Sequence, residues 1–249
     1  MVLEMKLGYG SSTIGDRPWH LNGARSMTDS DIVEIMLILM ALDSLEINIV
    51  DTAYRYGGGL SHRIIDNGAI SGNYNVFTKI ELDNIETMTM QYAECVKLKK
   101  LRGIMLHNPD LSKITDRHLK WLESLATPFR GISTEPCSEV VEIYEDYDLN
   151  LIQFPASKKD QRFLEGKFND FISKRTGVLT MANSVLGGPD PFKLTETVED
   201  MIGWIGLHRE LIDVALVGCS TLKHFMECVN FLSRPSYIRI GDGSINEKQ

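Results

Sequence analysis

Long apolar runs, a surplus of positive charge and clustered cysteines are all missing from this sequence. The longest apolar stretch, Ile32 to Leu42, is broken by Glu34 and falls well short of a membrane span, so it reads as a buried helix face. With 26 basic against 34 acidic residues the net charge is −8. That balance speaks against nucleic acid or an acidic membrane surface as partner, yet leaves room for a local basic pocket. Cys95, Cys137, Cys219 and Cys228 show no CxxC spacing; they are expected as reduced thiols of a cytoplasmic protein without a metal site. Met1 to Gly10 is too short and too polar for a secretory signal core. Neither GxGxxG nor Walker spacing occurs, so the Gly57-Gly58-Gly59 run is expected to be a flexible turn rather than a phosphate loop.

What is present is alternation. Short β-branched runs occur at Lys6–Ser11, Ile47–Ala53, Asn75–Ile80, Gly103–His107, Gly131–Ser133, Leu151–Phe154, Gly177–Met181 and Val214–Gly218. Between and after them lie amphipathic stretches at Ser30–Ser44, Ser61–Ile70, Ile85–Lys99, Asp116–Leu125, Cys137–Asp146, Lys158–Lys174, Glu196–Leu211 and Leu222–Leu232. Strands as apolar as Ile47-Asn48-Ile49-Val50 and Val214-Ala215-Leu216-Val217 suit burial on both faces of a parallel sheet. Thr28 and Asp31 have capping-box spacing before the first helix, and Pro136 is expected at a first helical position. Eight alternations in 249 residues, with no linker or repeat, predict one domain over 1–249 folded as a (β/α)8 TIM-type barrel. An open doubly wound sheet is the rival that periodicity alone leaves standing.

In such barrels the chemistry sits at the C-terminal ends of the strands. Strand two ends in Val50-Asp51-Thr52-Ala53, followed by Tyr54-Arg55-Tyr56-Gly57; strand three ends in Phe77-Thr78-Lys79, and strand four in Leu106-His107-Asn108-Pro109-Asp110. Alone, Asp51 could be a structural cap, Lys79 a solvated side chain, and His107 a partner for a loop carbonyl. Together with a tyrosine they form a proton-transfer device. A lysine ammonium beside a phenol favours the phenolate, an aspartate keeps the ammonium charged, and a neutral histidine can polarise a carbonyl.

These segments resemble the signature segments of the aldo-keto reductase superfamily: Asp51-Thr52-Ala53-x-x-Tyr56-Gly57, Phe77-Thr78-Lys79 and Leu106-His107-x-Pro109-Asp110. Leu7-Gly8-Tyr9-Gly10, Gly131-Ile132-Ser133, Gln153-Phe154-Pro155 and Val217-Gly218-x-Ser220 follow the family's order as well. The resemblance implies a catalytic tetrad of Asp51, Tyr56, Lys79 and His107, with Tyr56 rather than its neighbour Tyr54 as the acid. It implies that Ser133 and Gln153 hold a nicotinamide carboxamide, that Ser220 and Thr221 face the adenosine phosphate, and that Glu227 lies near the adenine. From the chain itself, Gly218 opens a strand-to-helix turn whose free amides suit a phosphate. Gly187-Gly188 would let backbone approach a pyrophosphate, and Trp19 is a candidate wall of the substrate pocket.

Several positions depart from the family. Thr134, Asn183, His224 and Cys228 replace common residues, Cys219 stands where an arginine would clamp a 2′-phosphate, and His62 replaces a glutamate. The expected activity is NAD(P)H-dependent reduction of an aldehyde, ketone or sugar, with NADP(H) ahead of NAD(H). A catalytically weak cofactor-binding barrel, acting as sensor or structural subunit, is the alternative. A sugar hydrolase, with Asp51, Asp110 and Glu135 as its carboxylates, ranks last, because Asp51 is better explained as the partner of Lys79. Oligomeric state is not encoded in any pattern found.

Overall fold

A computed structural model describes residues 5–15, 27–68, 72–187 and 197–232. The strands are β1 (Lys6–Gly10), β2 (Ile49–Asp51), β3 (Asn75–Ile80), β4 (Leu101–His107), β5 (Phe129–Ser133), β6 (Leu151–Pro155), β7 (Leu179–Asn183) and β8 (Val214–Val217). Each pairs parallel with the next, and β1 pairs with β8, closing the barrel. The helices are α1 (Asp29–Ser44), α2 (Leu60–Gly68), α3 (Ile85–Cys95), α4 (Asp116–Glu123), α5 (Ser138–Asp146), α6 (Gly166–Lys174), α7 (Val198–Gly206) and α8 (Leu222–Leu232). The (β/α)8 expectation holds, and the open doubly wound rival falls with the β1–β8 ladder.

Two apolar layers hold the barrel. Inside it, Ile49, Phe77, Met105, Leu151, Met181, Val214 and Leu216 pack as a separate plug. Outside, alternate residues of the same strands, such as Val50, Ile104, Ile132 and Ala215, pack against helix residues such as Ile38, Met88 and Ile202. The strands are therefore apolar on both sides, as their sequences suggest.

The Thr28 capping box forms: the Asp31 backbone N–H donates to the Thr28 side chain, while the Asp31 carboxylate accepts from the Thr28 backbone N–H at 2.8 Å. Pro136 is not a first helical residue, because Cys137 is the N-cap and α5 starts at Ser138. The helix expected from Lys158 begins only at Gly166. Before it, Ser157 and Asp160 bridge, and Asp160 engages the backbone and guanidinium of Arg162, holding a short 3-10 turn over Arg162–Leu164. β7 lies two residues later than its expected start at Gly177, whose φ of 76° belongs to a turn. That shift makes Asn183 the last residue of the strand.

Gly131 is required by a close approach. The Tyr144 hydroxyl of α5 inserts between β5 and β6, accepting from the Ile132 N–H at 3.0 Å and donating to the Leu151 carbonyl. A Cβ on Gly131 would stand 1.5 Å from that carbonyl oxygen. Gly131→Ala should therefore lower stability by about 3 kcal/mol or more, read as a fall in the denaturant midpoint. An unchanged midpoint would show that β5 and β6 are not packed this tightly.

Candidate active site

Asp51 and His107 end β2 and β4, Lys79 is the penultimate residue of β3, and all three are buried. The Lys79 ammonium donates to both carboxylate oxygens of Asp51, at 2.7 and 2.6 Å, and to the Thr52 carbonyl at 3.0 Å. Burial pushes the ammonium toward its neutral form. The Asp51 carboxylate and the Tyr56 hydroxyl outweigh that effect and hold its pKa above the ordinary lysine value.

Tyr56 begins the short 3-10 turn Tyr56–Gly59 after β2. Its ring lies 5.5 Å from the Lys79 ammonium and 5.6 Å from the His107 ring, nearly perpendicular to the latter. The glycine run following it is built rather than loose. Gly57 has φ 57°, and a Cβ on the facing Gly15 would fall 2.3 Å from the Gly57 Cα, so these two loops touch backbone to backbone. Sequence reasoning expected Lys79 to lower the phenol's pKa. Lys79 does pull it down, but burial is the larger effect, and the net shift is upward.

The cofactor candidates of β5 and β6 join this cluster. Ser133 donates to the Gln153 side-chain oxygen at 2.8 Å, and the Gln153 amide donates to Asp51 at 2.8 Å. Asn183, at the end of β7, donates to the same Gln153 oxygen at 3.3 Å. Ser133, Gln153 and Asn183 thus form one hydroxyl–amide patch, joined through Gln153 to the Asp51–Lys79 pair. Tyr54, the rival acid, packs edge-on against His62 instead.

The remaining candidates gather at the β8–α8 turn, with Gly187 apart. Gly218 follows β8, and the Cys219 carbonyl accepts from Tyr9 and Thr13, each at 3.3 Å, tying the turn to β1 and its loop. Thr221 precedes α8 and lines a cavity of about 600 Å³ with Glu34, Leu37, Leu222, Lys223, His224 and Met226. Ser220 sits in the turn itself, and Glu227 lies further along α8, near the buried pair Cys219 and Cys228. Gly187 ends the turn after β7, with φ 85° and its N–H on the Ser184 carbonyl at 2.8 Å. Trp19 and Gly188 lie outside the described residues.

Sequence reasoning missed three groups. Glu81 accepts from His107 Nδ1 at 2.9 Å and pairs with Arg55 at 3.3 Å; it stands two residues after Lys79, one past the end of β3. Glu34 of α1 accepts from the Leu222 N–H at 2.8 Å, at the start of α8; a carboxylate inside an apolar helix run was its only signal. A buried hydroxyl chain runs Ser11–Ser61–Thr52, at 2.9 and 2.8 Å, behind the aspartate strand. Among the described residues, no group of three or more His, Cys, Asp or Glu is arranged to hold a metal, and no helix is long and apolar enough to cross a membrane.

Two outcomes test this picture. Lys79→Met should cost about 3–5 kcal/mol by leaving the Asp51 charge buried and alone, with part of the loss recovered in Asp51→Asn/Lys79→Met; a double variant no better than the single would refute the pair's coupling. His62, bonded to Thr78 at 2.8 Å, is held neutral by burial, its pKa lowered to about 4 from 6.5. The unfolded chain takes up this proton first, so stability contributed by His62 is present above pH 6.5 and lost as pH falls toward about 4. His62→Gln should flatten that acid slope in pH-dependent denaturation, whereas an equal slope would locate the effect elsewhere.

By sequence, no family model and no curated protein matches the chain. By structure, it is similar to an aldo/keto reductase from Klebsiella pneumoniae in complex with NADP and acetate, at 12% identity and TM-score 0.68 over 92% of this chain and 86% of that one. An aldo-keto reductase from Bacillus halodurans in its holo form gives 14% identity and TM-score 0.69 over 92% and 87%. A glycerol dehydrogenase from Gluconobacter oxydans gives 14% and 0.64 over 97% and 95%. The (β/α)8 fold of this chain is the fold seen in these aldo-keto reductase structures.

Proposed function

We propose that the protein is an NAD(P)H-dependent oxidoreductase that reduces an aldehyde, ketone or sugar carbonyl. The observation that carries this reading is the buried Asp51–Lys79 pair set against Tyr56, with His107 edge-on to the same ring. Tyr56 is the proton donor to the substrate oxygen, Lys79 stabilises the phenolate that remains, and Asp51 keeps Lys79 charged and aimed.

The chemistry of the donor set fits a nicotinamide. Ser133, Gln153 and Asn183 offer a hydroxyl and amide hydrogens from three adjacent strand ends, the complement of a carboxamide. When bound, the dinucleotide supplies the reducing equivalent. Gly187 and Gly218 would admit its pyrophosphate, Ser220 and Thr221 its adenosine phosphate, and Glu227 its adenine. Lys223, lining the α8 cavity, is a cation that a 2′-phosphate could use, and it supports the choice of NADP(H) over NAD(H). Glu34 opposes it, since its carboxylate already occupies the Leu222 amide.

One observation favours a second reading, a catalytically weak cofactor-binding barrel: the Tyr56 phenol is pushed above its usual pKa, which weakens it as an acid. NADPH and NADH oxidation against a panel of aldehydes and aldoses separates the two. Tyr56→Phe should reduce turnover by about 10²–10⁴-fold while fluorescence titration shows unchanged dinucleotide affinity; surviving turnover would remove Tyr56 from the acid role. In the same titration, Lys223→Ala should weaken NADPH more than NADH, and Glu34→Gln should tighten NADPH severalfold, on the order of 1 kcal/mol. Equal responses of the two dinucleotides would place the 2′-phosphate away from α8.

A further inference from the structure

Gln91 of α3 is 7% exposed and clamps the backbone of Glu81. Its side-chain oxygen accepts from the Glu81 N–H at 2.8 Å, and its amide donates toward the Glu81 carbonyl at 3.5 Å. Glu81 is thereby fixed just beyond β3, with one carboxylate oxygen on His107 Nδ1 at 2.9 Å and the other on the Arg55 guanidinium at 3.3 Å. A helix, a strand end and a loop thus converge on one imidazole nitrogen.

We propose that Glu81 is the positioning residue for His107, holding the imidazole in the tautomer protonated at Nδ1; its catalytic consequence rests on the oxidoreductase reading above. An ionised carboxylate only accepts hydrogen bonds, so Nδ1 must be the donor. Burial alone would push the Glu81 carboxyl up, but the bond to His107 and the charge of Arg55 bring it below its ordinary value, which keeps it an acceptor. In the neutral ring Nε2 is then bare.

A bare nitrogen cannot donate to a carbonyl oxygen, which itself only accepts. His107 therefore polarises a carbonyl only as the imidazolium, whose charge Glu81 balances, while the neutral ring accepts a hydrogen bond from the product alcohol. The neutral donor expected from the sequence is the form that Glu81 disfavours. Among the described residues, the ring meets Glu81 with Arg55 behind it and Tyr56 with Lys79 and Asp51 behind it, and Ser133 is the register partner of His107 on β5. Of these, Glu81 is the group bonded to a ring nitrogen.

The tautomer can be read without cofactor or substrate. In protein labelled with ¹⁵N-histidine, long-range ¹H–¹⁵N correlation spectra above the ordinary histidine titration range report which nitrogen carries the proton. His107 is identified among the six histidines by its loss in His107→Asn. The native protein should show Nδ1 protonated and Nε2 bare. Glu81→Gln, whose amide oxygen still accepts, should keep that pattern, and Glu81→Ala should move the proton to Nε2. A native ring protonated at Nε2, or a tautomer unmoved in Glu81→Ala, overturns the proposal.

With the carbonyl substrate found by the panel, Glu81→Ala should lower kcat by roughly 10²-fold and displace the acid limb of its pH profile, leaving dinucleotide KM near native. An unmoved limb with native kcat overturns the catalytic consequence. The predicted tautomer in a protein that neither binds a dinucleotide nor turns over would overturn the oxidoreductase reading and uphold the role of Glu81.

Discussion

The burial of one ion pair organises the mouth of this barrel. Stripping water from Asp51 and Lys79 costs several kcal/mol per ion, and only saturated hydrogen bonding offsets that. Lys79 accordingly meets both carboxylate oxygens and the Thr52 carbonyl, while Asp51 accepts a further bond from Gln153. In an eight-stranded ring, β2 and β6 stand opposite each other, so the Gln153–Asp51 bond spans the mouth. Through Gln153, the demand of a buried carboxylate reaches Ser133 and Asn183, and three strand ends are ordered by a fourth.

The chain leaves this rim by turns that few residues tolerate. Gly57 after Tyr56, Asn108 after His107 and Ser184 after Asn183 all have positive φ. For asparagine and serine that conformation is strained, and such strain persists only where surrounding contacts fix it. Asn108 is fixed by its N–H on the Ser133 carbonyl at 2.7 Å.

This explains what the sequence could and could not disclose. Count and order of the strands were legible because burial on both faces forces apolar runs, whereas closure was settled only by the β1–β8 ladder. Asp51, Lys79 and His107 were legible because charged or titratable residues at the ends of such runs conflict with burial unless they meet. The start of α6 was not legible: Phe163, Phe168 and Ile172 keep an apolar rhythm through a turn that Asp160 and Arg162 impose by side-chain bonds. The end of β7 was misplaced for a similar reason, since apolar Val178 and Leu179 leave its frame ambiguous until pairing with β6 sets it.

Glu81 and Glu34 were hidden more deeply, because each acts on an element distant in sequence. Glu34 lies 188 positions before the amide it bonds, and no local pattern couples α1 to the start of α8. Their arrangement has a common physical meaning. Each sets a carboxylate against an N–H donor, the α8 N-terminus in one case and His107 Nδ1 in the other. At His107 the carboxylate occupies Nδ1 and leaves Nε2 for the role proposed for the ring. At α8 the carboxylate holds the amide that an incoming phosphate would use. The phosphate binding proposed there would be an exchange of one anion for another, so its net gain would be smaller than a free helix terminus offers and would be tied to a displacement of the Glu34 side chain on α1.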